Sequence, residues 1–217
     1  MLKAKNENQK RILCFGDSIT WGYNPTDGTR FAYHETWPGV MEKTLGDGYK
    51  VITEALVGRT TCFDLPYAPD RNGSKFLPMI MESHSPIDLV ILMIGINDLM
   101  HLSGKTADES SWGLLSLIRI AYTPLFGGTP PKILIIAPPV PGKMNDFSKE
   151  GFGGMEDEIK KLSPSQKIVA ETALCEFMDS NDFIKVESVD GLHPMPDQYK
   201  ILGEKIAEKV IQILKQN

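Results

Sequence analysis

Cysteine is scarce in this chain of 217 residues: Cys14, Cys62 and Cys175 are the full set. An odd, widely spaced trio without a CxxC pair excludes a disulfide framework and a thiolate zinc site. Cys14 falls inside an apolar run and reads as a small core residue. Positive charge is also in short supply. There are 23 Lys and Arg against 28 Asp and Glu, for a net charge of −5, which argues against nucleic acid as a partner. No uninterrupted apolar stretch reaches the length of a bilayer span, so no membrane span is expected. Residues 1–10 are polar and contain lysines, with no apolar core segment, unlike a secretory signal. They read as a flexible N-terminal lead to a single domain over residues 11–217, with a cytoplasmic location as the expectation. Internal repeats and low-complexity tracts are missing.

What is present is an ordinary globular composition, 41% hydrophobic and 24% charged, in a chain long enough to bury a sizeable core. The most informative stretch is Arg11-Ile12-Leu13-Cys14-Phe15-Gly16-Asp17-Ser18-Ile19-Thr20-Trp21-Gly22. An apolar run meets a glycine and then a small polar pair, the pattern of a buried strand ending in a tight turn. Gly16 can take backbone angles closed to other residues. The turn leaves Ser18 just past the strand's C-terminal end, where open α/β sheets place their chemistry. A helical turn starting there has unpaired N–H groups that can hold a negative oxygen.

Further along, Tyr23–Thr36 reads as a loop beside Ser18, expected with Leu99–Asp108 and Gly142–Leu162 to form the pocket wall, and Trp37–Leu45 as a helix with Pro38 in its first turn and Gly46 past its end. Val51–Ala55 is a second strand, ending in the turn around Gly58. Residues 64–74 read as a loop and Lys75–Glu82 as a helix. Ile87–Ile94 is almost wholly apolar, as a central strand buried on both faces must be, and ends in Gly95-Ile96-Asn97-Asp98. Ser111–Tyr122 has helical periodicity, and Gly127–Pro131 breaks it. Ile133–Ala137 is a fourth strand. Gly142–Leu162 reads as a polar insert over the site or against a second subunit, and Ser163–Met178 as an amphipathic helix. Phe183–Glu187 reads as the fifth strand. Asp190-Gly191-Leu192-His193-Pro194 precedes a long amphipathic helix to about Leu214. Strands alternating with helices predict a three-layer α/β/α sandwich on a parallel sheet, with the C-terminal turns on one rim.

That rim would carry Ser18, Gly58, Asn97, Asp190 and His193. Acyl transfer needs a hydroxyl made nucleophilic by a base, an acid that orients the base, and donors for the oxyanion. Ser18, His193 and Asp190 are the candidate catalytic residues. The N–H groups of Ser18 and Gly58 and the Asn97 amide are the candidate oxyanion hole. Read singly, each has a plainer explanation: a turn glycine, a capping Asn-Asp pair, a common Asp-Gly turn, a histidine that opens a helix. Their arrival at strand ends in one order is what carries weight. Gly16, Asp17, Gly95 and Asp98 support the turns. Asp17 is expected to brace its turn, pointing away from Ser18, and Asp98 to hold the Asn97 loop. Trp21 is a candidate pocket wall. His34, His84 and His101 lack metal-ligand spacing, so no metal is expected, and acyl transfer through a serine calls for no organic cofactor.

Gly16-Asp17-Ser18, the Gly58 turn, Gly95-Ile96-Asn97-Asp98 and Asp190-Gly191-Leu192-His193 together resemble the four blocks of the SGNH hydrolases, the GDSL esterase and lipase superfamily. Cys14 to Gly22, with Gly58-Arg59-Thr60-Thr61, resembles its arylesterase and acyltransferase branch. The resemblance implies a flavodoxin-like five-stranded parallel sheet in the order 2-1-3-4-5. It also implies hydrolysis of short-chain acetyl or aryl esters through an acyl-Ser18 intermediate, with acyl transfer and homo-oligomer formation left open. A thioesterase or lysophospholipase on the same triad is an alternative, and a non-catalytic ligand-binding domain is an alternative of another class. A phosphatase using Asp17 would want a second acid two residues on, where Ile19 stands.

Overall fold

The computed structural model describes residues 9–123 and 129–215. Most of the N-terminal lead and residues 127 and 128 of the predicted break lie outside the described residues. Five parallel strands form one sheet: β1 (Lys10–Gly16), β2 (Tyr49–Ala55), β3 (Leu89–Met93), β4 (Lys132–Ala137) and β5 (Glu176–Asp179), in the order β2-β1-β3-β4-β5. This is the predicted architecture and the predicted strand order. All of β3 and the last five residues of β1 are buried, as expected of strands covered on both faces.

Successive side chains on a strand point to opposite faces, so each strand feeds two cores. Ile12, Cys14, Leu89, Ile91 and Met93 pack under α2 (Trp37–Leu45) and α7 (Pro196–Lys215), against Trp37, Met41, Tyr199 and Ile206. Leu13, Phe15, Val90 and Leu92 face α3 (Gly73–His84), α4 (Ala107–Ala121) and α6 (Glu156–Thr172), against Leu77, Leu117 and Ala170. A third, smaller core of Ile96, Leu99, Met144, Phe152, Ile159 and Leu162 lies between the end of β3 and the segment after β4. It anchors the predicted polar insert, which contains the short helix α5 (Asp146–Phe152) and the first residues of α6.

Several boundaries differ from expectation for physical reasons. The fifth strand is Glu176–Asp179, not Phe183–Glu187. The latter run is partly apolar because Ile184 and Val186 are buried, but its backbone joins no strand. The predicted helix over Ser163–Met178 is therefore two elements. α6 begins earlier, with Glu156, Asp157 and Glu158 in its first turn complementing the helix dipole, and Pro164 sits inside it at the loss of one backbone hydrogen bond. It ends where Leu174 adopts a left-handed conformation (φ 55°) and the Cys175 N–H returns to the Ala170 carbonyl at 2.8 Å. α4 starts four residues before the predicted Ser111, because Thr106 and Glu109 form a reciprocal capping box. Within 64–74, expected to be loop, Pro69–Arg71 is a 3₁₀ turn and Asn72 caps α3.

Candidate active site

The strand register assembles the site. In the β1–β3 pairing, Gly16 stands opposite Met93, so the turn after β1 and the turn after β3 leave the sheet side by side. The helix α1 (Ser18–Trp21) begins at Ser18, and the Asp17 carboxylate caps it by accepting from the Ile19 N–H at 3.0 Å. Gly16 proves necessary for space rather than for unusual angles, because a Cβ there would collide with the Thr20 side chain and the Met93 carbonyl.

Ser18 and His193 are 175 positions apart, yet the Ser18 Oγ lies 2.9 Å from the His193 Nε2. The other ring nitrogen, Nδ1, lies 2.6 Å from the Asp190 Oδ2. The remaining Asp190 oxygen accepts from the Leu192 N–H (2.8 Å), the His193 N–H (3.1 Å) and the Ser188 hydroxyl (3.0 Å). The tight return from Asp190 to His193 requires Gly191. Its φ is +71°, and a Cβ there would strike the Lys143 carbonyl, a strained and crowded position for any side chain. Burial pushes the Asp190 carboxyl up. Its hydrogen bonds from His193 and Leu192, with the His193 charge, outweigh that and hold it at about 2. The Tyr23 ring packs against His193 with centroids 4.6 Å apart.

The neighbouring donors come from three segments. Among the described residues no protein acceptor faces the backbone N–H of Ser18 or of Gly58. The Asn97 amide donates to the Arg59 carbonyl at 3.0 Å and reaches the Asp17 Oδ2 at 3.4 Å. The second contact is long, which leaves that hydrogen easily redirected. Beneath these groups Arg59 is buried, with Nη1 donating to the carbonyls of Gly16 (3.0 Å) and Glu54 (2.6 Å) and its guanidinium 4.2 Å from the Phe15 ring centroid. Burial lowers its pKa to about 10 against the pull of Asp17 and Glu54. Asp17 is itself raised to about 6 by burial, offset by the Ile19 N–H and by the charges of His193 and Arg59.

A cavity of about 400 Å³ opens over this group. Ser18, Gly58, Asn97, Asp190 and His193 line one side. The Tyr23–Thr36 loop contributes Tyr23 and Pro25, and the segment after β4 contributes Asn145, Phe147, Ser148 and Phe152. Ile96, Met100 and Leu192 complete an apolar wall. The structure thus brings together every predicted catalytic and oxyanion residue, but not Trp21, which is absent from the lining and lies under the Arg30 guanidinium at 5.0 Å. Tyr23, Met100, Phe147 and Phe152 were not singled out individually, but all four lie in the three segments expected to form the pocket wall. A larger cavity of about 620 Å³ lies by β5 among Lys167, Lys205, Lys209 and Glu208. Its one serine, Ser163, donates to the Asp179 carboxylate, and no histidine lines it, so the smaller cavity, with its Asp190–His193–Ser18 chain, is the candidate site. Among the described residues no group of three His, Cys, Asp or Glu side chains could hold a metal ion, and no helix is long and apolar enough to cross a membrane.

The pattern of the GDSL-like lipase/acylhydrolase family matches residues 14–201. An arylesterase from Vibrio mimicus is 26% identical over 219 residues, covering 98% of this chain and 94% of that protein. Among solved structures, a carbohydrate acetylesterase from Sinorhizobium meliloti superposes with a TM-score of 0.91 at 37% identity, covering 94% of this chain and all of that one (100%). The inhibitor-bound aryl esterase of M. smegmatis gives 0.90 at 35% identity, covering 94% of this chain and 99% of that one.

The Asp190 environment makes a stability prediction. Its pKa in the folded chain, about 2, lies below the unfolded value of about 3.9. Its contribution is therefore fully present above the unfolded value and is lost as pH falls towards the folded one. Urea titrations should show Asp190→Asn less stable than the parent near neutral pH, with the gap closing between about pH 4 and pH 2. A gap that widens on acidification would contradict this environment.

Proposed function

The chain belongs to the GDSL-like lipase/acylhydrolase family, a carboxylic ester hydrolase of SGNH type, and on that premise we propose that Ser18 is its nucleophile, His193 its general base and Asp190 the group that orients the base. The observation that carries the reading is the unbroken hydrogen-bond chain Asp190–His193–Ser18, at 2.6 and 2.9 Å. Asp190 fixes the tautomer in which Nδ1 bears the proton and Nε2 can accept the one from the Ser18 hydroxyl. As Ser18 Oγ bonds to the ester carbon, that proton passes to Nε2 and the carbonyl oxygen becomes an oxyanion. The N–H groups of Ser18 and Gly58 and the Asn97 amide then stabilise it. Collapse of the intermediate breaks the bond to the alcohol, which leaves with the proton from Nε2. Water, deprotonated by the same nitrogen, then releases the acid from acyl-Ser18.

The substrates we propose are short-chain acyl esters, with an acetyl group on a sugar or on a small aryl alcohol as the leading choices. The named activities of the Sinorhizobium and M. smegmatis relatives support this, and so does the wall. Phe152 is buried at 6% exposure and belongs to the third core, so it closes the apolar side of the cavity instead of continuing it as a groove. Phe147, 77% exposed, offers a face at the mouth for the ring of a leaving group.

Two measurements test this. A p-nitrophenyl ester series should give the highest kcat/KM from acetyl to butyryl; a decanoyl ester preferred over acetyl would refute the short-acyl assignment. Asp190→Asn preserves shape but favours the wrong tautomer, so kcat should fall by up to about 10⁴, the loss seen for this change in the best-studied triad. An Asp190→Asn enzyme within about tenfold of the parent would remove Asp190 from the role.

A further inference from the structure

Asp98 does not touch the cavity, and the reaction as written makes no use of its charge. It is fully buried. Its Oδ1 accepts from the Thr61 N–H at 2.9 Å. Its Oδ2 lies 2.7 Å from the Thr61 hydroxyl and 2.7 Å from the Ser110 hydroxyl, and the Ser110 oxygen is also 3.0 Å from the Gly95 carbonyl oxygen. These are three oxygen–oxygen contacts of hydrogen-bond length, and the two hydroxyls bring only two hydrogens between them. With an ionised carboxylate, one contact would hold two oxygens together with no proton between them. A proton on Oδ2 completes the count: Asp98 donates to Ser110, Ser110 donates to Gly95, and Thr61 donates to Asp98.

We propose that Asp98 is a positioning residue that works as an uncharged carboxylic acid, its proton completing an Asp98–Ser110–Gly95 relay that fixes the turn carrying Asn97. The inference rests on the reading of Asn97 as an oxyanion donor. The surroundings agree with a neutral group. From the turn after β1 the charge that acts on it is that of Asp17, a like charge. From the loop after β2 the Cys62 thiol couples to it, itself raised by burial and by Asp98. Lys105, whose N–H meets the Asp98 carbonyl at 3.1 Å, directs its ammonium to Glu109 at 3.5 Å. Arg59 directs Nη1 to the carbonyls of Gly16 and Glu54, and its charge faces Asp17 and Glu54. Burial raises the Asp98 pKa to about 7, against the lowering effect of the hydrogen bonds from Thr61 and Ser110. The chemical benefit is electrostatic. A carboxylate here would place a second buried negative charge beside the developing oxyanion, whereas the acid supplies the same rigid link without it.

The test uses the intact chain labelled with ¹³C at aspartate carboxyls, with Asp98 assigned through its contact to the Thr61 amide. At about pH 6 its carbon should resonate at the protonated position and titrate only at higher pH; a carbon already at the ionised position there would overturn the proposal. Stability gives an independent reading. A folded-state pKa above the unfolded one confers stability that is complete below the unfolded value and is lost as pH rises through the folded value. From about pH 5 to pH 7 the parent should therefore lose folded-to-unfolded ratio relative to Asp98→Asn by up to about tenfold per pH unit. A parent-to-variant ratio that stays constant across that window would equally overturn it. At about pH 6, Asp98→Ala should lower kcat/KM more than tenfold and Asp98→Asn should recover most of that loss, since the amide mimics the neutral acid; an Asn variant as impaired as the Ala variant would count against the relay. The carboxyl and stability readouts need no turnover, so they can fail while the Ser18 mechanism stands, and the reverse.

Discussion

The constraint on which the site depends is the parallel pairing of β1 with β3. With Gly16 opposite Met93, the two central strands release their chains at the same height, and the turn bearing Ser18 abuts the turn bearing Asn97. A shift of one residue would invert every side chain on β1 between the two sheet faces. Because the runs Ile12–Phe15 and Leu89–Met93 are buried on both sides, the whole apolar content of the domain resists that shift. The hydrophobic cores thus do more than stabilise the fold: they set the position of the turns that carry the proposed catalytic residues.

The turns then have to bury polar groups that water would otherwise solvate, and they do so by pairing them with one another. Asp17 caps α1 and meets Asn97, Arg59 ties the loop after β2 to the end of β1, and Asp98 links Thr61 to Ser110. The Asp17–Asn97, Arg59–Gly16 and Asp98–Thr61 links each join two different strand ends, so the proposed oxyanion donors are held by side chains whose own partners are fixed. Preorganisation of this kind is what makes a dipole effective at the moment charge develops. Asp190 and His193 reach the rim differently. They arrive on the long segment after β5, and their geometry rests on the Gly191 turn and on three donors to one carboxylate oxygen.

Much of this was legible in the sequence, and the reasons are local. The runs Ile12–Phe15 in β1, Leu89–Met93 in β3 and Ile133–Ala137 in β4 are apolar throughout, which only doubly covered strands require, and candidate residues sit where the first two stop. The sandwich follows from that alternation, whereas the strand order was what the family resemblance implied. What was not legible depends on contacts across the chain. β5 has four residues, with Glu176 and Asp179 at its ends, and carries too few apolar positions to be told from a helix end. Phe183–Glu187 looks like a strand because burial, not pairing, selects its Ile184 and Val186. Trp21 sits beside the nucleophile in sequence yet points to Arg30, because a four-residue helix turns it away. The segments after β3 and β4 were expected to wall the cavity, but that Met100, Phe147 and Phe152 are the side chains that do so depends on packing through the third core, which has no periodic signature.

The measurement that bears most directly on the mechanism is covalent capture of the nucleophile. The intact protein, treated with a fluorophosphonate, should gain the mass of one adduct, and peptide mapping should place it on Ser18. The adduct should be missing from Ser18→Ala and should form far more slowly in His193→Ala, because the hydroxyl is a poor nucleophile without its base. An adduct on another residue, or undiminished ester hydrolysis by Ser18→Ala, would contradict catalysis through Ser18.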